Sequence, residues 1–205
     1  MDLINPIPVE WSKYLTQSPI GLEVIPDQLW DTQTYVDNTS TELTFFAAVQ
    51  ANQALSNMTQ PGMLPNPQSF LIEAIRTYFR VQVTTDDSGA AGAFASIYND
   101  VVLLVNTGIF TLTLGNKSYG PWRMWTMPAS SYAQGIMAVA GAEAANLAHD
   151  YAQLGGPLWQ LRPNLMIAPL QNFSAKLAWP AGAVNTTGNV VTEILMEGQR
   201  ARGIN

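Results

Sequence analysis

The stretch Phe70 to Val83, FLIEAIRTYFRVQV, decides the fold class. Ile75, Thr77, Phe79, Val81 and Val83 fall on one side of an extended chain, and Arg76, Tyr78, Arg80 and Gln82 fall on the other. A two-residue period of this kind marks a strand with one face in a core and the other turned out. Strands usually run to about five or six residues, so one this long belongs to a tall sheet. Strict alternation puts Glu73 and Arg76 on opposite faces, which reads as a charged rim.

Working outward, the same period recurs. Leu43, Phe45, Ala47 and Val49 alternate with Thr44, Phe46 and Ala48, and a Pro61-Gly62 loop over 57–67 separates them from the long strand. Ile109 to Leu114 alternates and turns at Gly115-Asn116, a hairpin signal. Leu165–Ala168, Phe173–Trp179 and Val190–Glu197 read as further strands, with Pro169 and Pro180 as breaks. Asp100 to Val105 is a short apolar run that periodicity leaves open between helix and strand. Met137, Ala140, Ala144, Leu147, Tyr151 and Leu154 recur at helical spacing until Gly155-Gly156-Pro157, which predicts a helix inserted at about 132–154. The expected fold is all-β, an antiparallel sandwich or single jelly roll with one inserted Ala-rich helix. Pro6, Pro8, Pro19 and Pro26 mark 1–40 as an irregular arm, 41–198 as the jelly-roll domain and 199–205 as a polar tail.

The surface such a fold would carry is unusual. Charged residues make up 12% of the 205, against about 25% in ordinary soluble domains, while 47% are apolar. A free monomer normally intersperses charges over its exterior. A chain that lacks them is most simply read as one whose exterior is covered by neighbours. Asn, Gln, Ser and Thr, 55 in all, supply the polarity instead. They cost less to bury at an interface than charges, provided each finds a hydrogen bond.

The net charge of −6 and the scattered Lys and Arg argue against direct contact with nucleic acid, which needs a basic stripe. Cysteine is absent, which excludes disulfides and thiolate metal sites. No apolar run approaches the ~20 residues of a spanning helix, and the first residues show no secretory pattern.

Candidate chemical groups are few. His149 is the only histidine, which excludes sites built from several, and it reads as a solvated or interface side chain. Asp86, Asp87 and Asp100 lack the alternating ligands of an EF-hand and read as an acidic turn. Glu193 and Glu197 share a strand face but stand too far apart for a glycosidase pair. Trp122, Trp125, Trp159 and Trp179 suit a core or an interface, with a sugar platform as the alternative. Five Asn-x-Ser/Thr triplets, at Asn38, Asn57, Asn116, Asn172 and Asn185, read as turn chemistry. No catalytic, cofactor-binding or metal-binding residue is assigned, and no enzyme activity is expected.

Gly108-Ile109-Phe110-Thr111-Leu112-Thr113-Leu114-Gly115-Asn116-Lys117-Ser118-Tyr119 leads into Gly120-Pro121-Trp122, and Leu165 to Phe173 leads into Trp179-Pro180. With Leu64-Pro65-Asn66-Pro67-Gln68-Ser69-Phe70 before the long strand, residues 40–197 resemble the jelly-roll major capsid proteins of tailless icosahedral bacteriophages with an internal membrane. At this length the single-barrel branch is the nearer likeness. The resemblance implies a virion shell subunit whose upright barrels gather into capsomers over a lipid vesicle. The expected partners are copies of the chain, with room for a second capsid protein and for contact with that membrane. The alternative is a carbohydrate-binding or receptor-binding β-sandwich module.

Overall fold

The computed structural model describes residues 22–81, 93–127, 131–133, 136–137, 150–151, 159–186 and 188–203. The strands among them are β1 (Leu22–Tyr35), β2 (Glu42–Phe45), β3 (Ser69–Val81), β4 (Ile109–Leu114), β5 (Lys117–Arg123), β6 (Ser131–Ala133), β7 (Ile136–Met137), β8 (Asp150–Tyr151), β9 (Trp159–Ile167), β10 (Phe173–Ala178) and β11 (Val190–Gly203). One α-helix is described, α1 (Ala93–Thr107), and a 3-10 turn spans Met124–Thr126.

These strands make a β-sandwich. In the five-stranded sheet β1, β11 and β3 lie side by side, and β9 and β6 share the far edge of β3. The four-stranded sheet runs β2-β10-β4-β5. Apart from the parallel β3–β6 pair, every pairing is antiparallel. With the short β6, β7 and β8 set aside, the eight remaining strands are ordered 1-8-3-6 in one sheet and 2-7-4-5 in the other. That is the strand order of a jelly roll, in which most connections cross between sheets.

Alternation sorts the core. Phe70, Ile72, Ile75 and Phe79 of β3 and Ile194 and Met196 of β11 meet Phe110 and Leu112 of β4 and Phe173, Ala175 and Leu177 of β10. Ser174 and Lys176 between them face outward. On α1, Val101, Leu104 and Val105 fall at helical spacing and join this core, leaving Leu103 exposed on the far side. Trp179 secures the helix: its indole N–H donates to the Leu104 carbonyl at 3.0 Å, and its ring sits 4.7 Å from Tyr35, edge to face.

Several expectations need correction. The arm predicted over 1–40 contains β1, which pairs with β11 over all 14 of its residues. Pro26 is tolerated because β1 is an outside strand, where a missing N–H need not break a ladder. The sandwich therefore reaches from Leu22 to Gly203 rather than 41–198, and the tail predicted at 199–205 continues β11 to Gly203. The helix predicted at 132–154 is extended where it is described. Ile136 and Met137 pair with Tyr151 and Asp150, and β6 pairs with β3; the residues between lie outside those described. Helix propensity is a weak prior that tertiary pairing overrides. The described helix is instead α1, which contains the unassigned run Asp100–Val105.

Candidate functional site

The outer face of the five-stranded sheet brings together Glu73, Arg76, Glu193 and Glu197, and a defect in β3 puts Glu73 and Arg76 on it together. Ala74 pairs with Glu197 but Ile72 pairs with Gly198, so Glu73 has no counterpart on β11. The ladder to β9 breaks at the same point: Ile72 faces Leu165 and Ala74 faces Gln160, so 161–164 have no register partner on β3. Phe70 and Ile72 point inward before the bulge, and Ile75 and Phe79 point inward after it. The phase has flipped across one residue. Glu73 and Arg76 therefore share the outer face, contrary to the strict alternation expected from sequence. Gly198 permits this, since a Cβ there would lie 1.8 Å from the Leu71 carbonyl oxygen.

The resulting cluster is tied together. Arg76 approaches both carboxylate oxygens of Glu197, with Nε 3.1 Å from Oε1 and Nη2 3.3 Å from Oε2. The Gln199 amide donates to Glu73 Oε1 at 2.7 Å, and Thr32 Oγ1 donates to Glu193 Oε2 at 3.3 Å. Between Glu73, Glu197, Gln160, Arg162 and Asn164 lies a cleft of about 290 Å³. A second hollow, of about 500 Å³, shares Glu73 and Glu197 and extends to Gln28 and Trp30. Chemically this is a polar surface on which Arg76 pairs with Glu197, while Glu73 and Glu193 accept from neutral side chains and Arg162 donates to Gln160. Exposed and half-exposed pairs of this kind contribute roughly 0–1 kcal/mol each, so their role is to hold register and present hydrogen-bonding groups.

The other candidates disperse. Glu193 and Glu197 share the outer face of β11, about 13 Å apart along the strand, beyond either glycosidase spacing. Asp100 is buried within α1; Asp86, Asp87 and His149 lie outside the described residues. Arg80 stands on β3 near its end. Among the described residues no three His, Cys, Asp or Glu side chains group as metal ligands, and no described helix is long and apolar enough to cross a membrane. Trp179 is 1% exposed, and Trp122 stacks on Phe110 at 6.0 Å against the core. Trp159 begins β9, and Trp125, at 48%, is exposed.

Sequence reasoning missed Asp31 and Gly198. Asp31 is fully buried on β1 and accepts hydrogen bonds from the Phe46 backbone at 2.6 Å and the Gln50 amide at 2.9 Å. Its place in a segment that reads as an irregular arm gives no sign of a buried carboxylate. Gly198 stands in the middle of a strand, a position that signals a bulge. No protein-family model matches the chain, and no curated protein sequence matches it.

Proposed function

We propose that this chain is a structural subunit of a virion shell, associating with copies of itself into capsomers of an icosahedral particle. The observation that carries the reading is the jelly-roll strand order, built from a chain with only 12% charged residues. Jelly rolls serve as viral capsid and lectin domains and as cupins. Cupin-type metal centres call for several histidines, and this chain has one. A lectin-like platform calls for several exposed aromatic side chains on one face, whereas Trp179 is buried in the core and Trp122 is packed against it, leaving Trp125 exposed. A weakly charged exterior favours association because few ionic groups lose water when copies meet. The family likeness of residues 40–197 extends the proposal to a second capsid protein and an internal membrane as further neighbours.

The test is a concentration series of the purified chain followed by light scattering and negative-stain microscopy. Defined oligomers or closed particles that grow with concentration are the expected result. A strict monomer throughout the series overturns the proposal.

A further inference from the structure

The hollows on the outer face of the five-stranded sheet join into one groove. The cleft of about 290 Å³ beside β9 and the hollow of about 500 Å³ share Glu73 and Glu197. A third hollow, of about 350 Å³, shares Gln28 and Trp30 with the second and runs on to Tyr78 and Glu193. The lining comes from β9, β3, β11 and β1, which lie side by side in that order. Three strand spacings of about 4.8 Å make the groove about 14 Å long. Its origin is the double break around β3, where Glu73 has no counterpart on β11 and 161–164 have none on β3. Bulges of this kind re-aim side chains and gather next to active sites.

From this geometry we infer that the groove binds a neutral oligosaccharide laid across the sheet. Charge narrows the class. An anionic ligand would meet Glu73, which accepts from the neutral Gln199 amide. A cationic one would find Glu197 engaged by Arg76, with Arg162 beside it. Like charges brought together are penalised, so the mixture of signs disfavours ions of either kind. Sugar hydroxyls both donate and accept, which suits a lining of carboxylates, the amides of Gln28 and Gln160, and the Arg162 donor. Trp30, half-buried on β1, adds an apolar contact, because the negative face of its ring attracts the polarised C–H groups of a sugar. Hydrogen bonds set this lining in advance, which lowers the ordering cost of binding. The Trp30 indole donates to the Gln53 carbonyl at 3.3 Å, and Arg162 donates to Gln160 at 3.1 Å. The grip is hydrogen bonding around one aromatic side chain, a different device from a platform of several exposed rings. An extended peptide would need a free strand edge, and β11, in the middle of the groove, is laddered on both sides. The inference goes beyond the shell-subunit reading and does not rest on it.

The experiment presents the full chain to immobilised oligosaccharides: neutral hexose and N-acetylhexosamine oligomers, sialylated and sulfated oligomers as the anionic arm, and chitosan oligomers as the cationic arm. Isothermal titration then measures the tightest neutral binder against wild type, Gln160→Ala, Glu73→Ala and Trp30→Ala, with Trp125→Ala as the control on the other sheet. Thermal unfolding first establishes that each variant folds; Gln160 is exposed, so its truncation spares the core. A neutral oligomer is expected to bind wild type and Trp125→Ala alike, and about tenfold or more weakly in each groove variant. No neutral binder up to about 10 mM ligand overturns the inference, and so does binding confined to a charged arm. Equal affinity in the three groove variants, or loss in Trp125→Ala instead, places the sugar elsewhere and overturns it too. Light scattering on the same samples keeps the two readings apart: assembly without sugar binding sinks only the groove, and sugar binding by a strict monomer sinks only the shell subunit.

Discussion

Asp31 shows how much one side chain organises. Its carboxylate lies inside the protein, and amide donors supply its partners. The backbone of Phe46, itself at a φ of 65°, and the amide of Gln50 both converge on it, and Gln50 also donates to the Thr32 carbonyl. The start of the β2–β3 connection is thereby tied to the middle of β1. Asp31→Ala leaves the buried Phe46 N–H unpaired, and such a group costs about 1–3 kcal/mol. Denaturant unfolding should show a loss of about 2 kcal/mol, and a loss below about 1 kcal/mol would refute the assignment. Gly198 is the other position of this kind. Its missing Cβ is filled by backbone, which cannot swing aside as a side chain can. Gly198→Ala is expected to destabilise by about 3 kcal/mol or more and to displace Glu73 from the outer face. A crystal structure of that variant with the bulge unchanged would disprove the steric argument.

At the scale of elements, β1 is the exposed margin of the five-stranded sheet, and Asn57 covers its middle. The Asn57 amide donates to the Gln28 carbonyl at 2.7 Å and accepts from Trp30 N at 3.0 Å, while its own backbone N–H donates to Trp30 O at 3.3 Å. One residue thus imitates a neighbouring strand, which protects an edge that could otherwise recruit another chain. Asn57→Leu should raise the rate of thermal aggregation several-fold in turbidity assays at a stability cost of about 1–2 kcal/mol; unchanged turbidity would count against the capping role. Tyr35 ties the other end of β1 to the β10–β11 connection, donating to Val184 O at 2.8 Å and accepting from Val184 N at 2.6 Å. Burial raises its phenol above the ordinary value near 10; the hydrogen bond with Val184 opposes the rise and Asp37 adds to it. The unfolded chain therefore ionises first. Stability from this group is complete below about pH 10 and falls as pH climbs toward the folded value. Tyr35→Phe should flatten that alkaline decline while lowering stability at neutral pH, and an unchanged alkaline slope would contradict it.

Legibility in the sequence follows from the same elements. β3, β4 and β10 could be read because each buries one face, so Phe70–Val83, Ile109–Leu114 and Phe173–Trp179 alternate cleanly. β1 could not, because Asp31 is a carboxylate on a core-facing position and Pro26 imitates a break. α1 was ambiguous because Val101–Val105 is apolar all round, and a short apolar run has no diagnostic period. The shared face of Glu73, Arg76 and Glu197 depends on one unpaired residue, and a shift of one inverts every later side chain. Gly198 was its only trace.

For the whole molecule, sparse charge makes a specific prediction about association. Contacts built on ion pairs weaken as salt screens them, whereas copies of net −6 repel less when screened. Raising ionic strength from about 0.05 to 0.5 M, which shortens the screening length several-fold, should leave self-association unchanged or strengthen it. Dissociation on adding salt would show that charge pairing holds the copies together.

The pairing of the first principal strand with the last has a consequence for biosynthesis. During translation, Leu22–Tyr35 is made more than 150 residues before its hydrogen-bonding partner Val190–Gly203. Nascent chains therefore carry an unpaired β1 until that partner has emerged. Closure of the sheet must wait for it, and chaperone occupancy should peak on β1 in the interval.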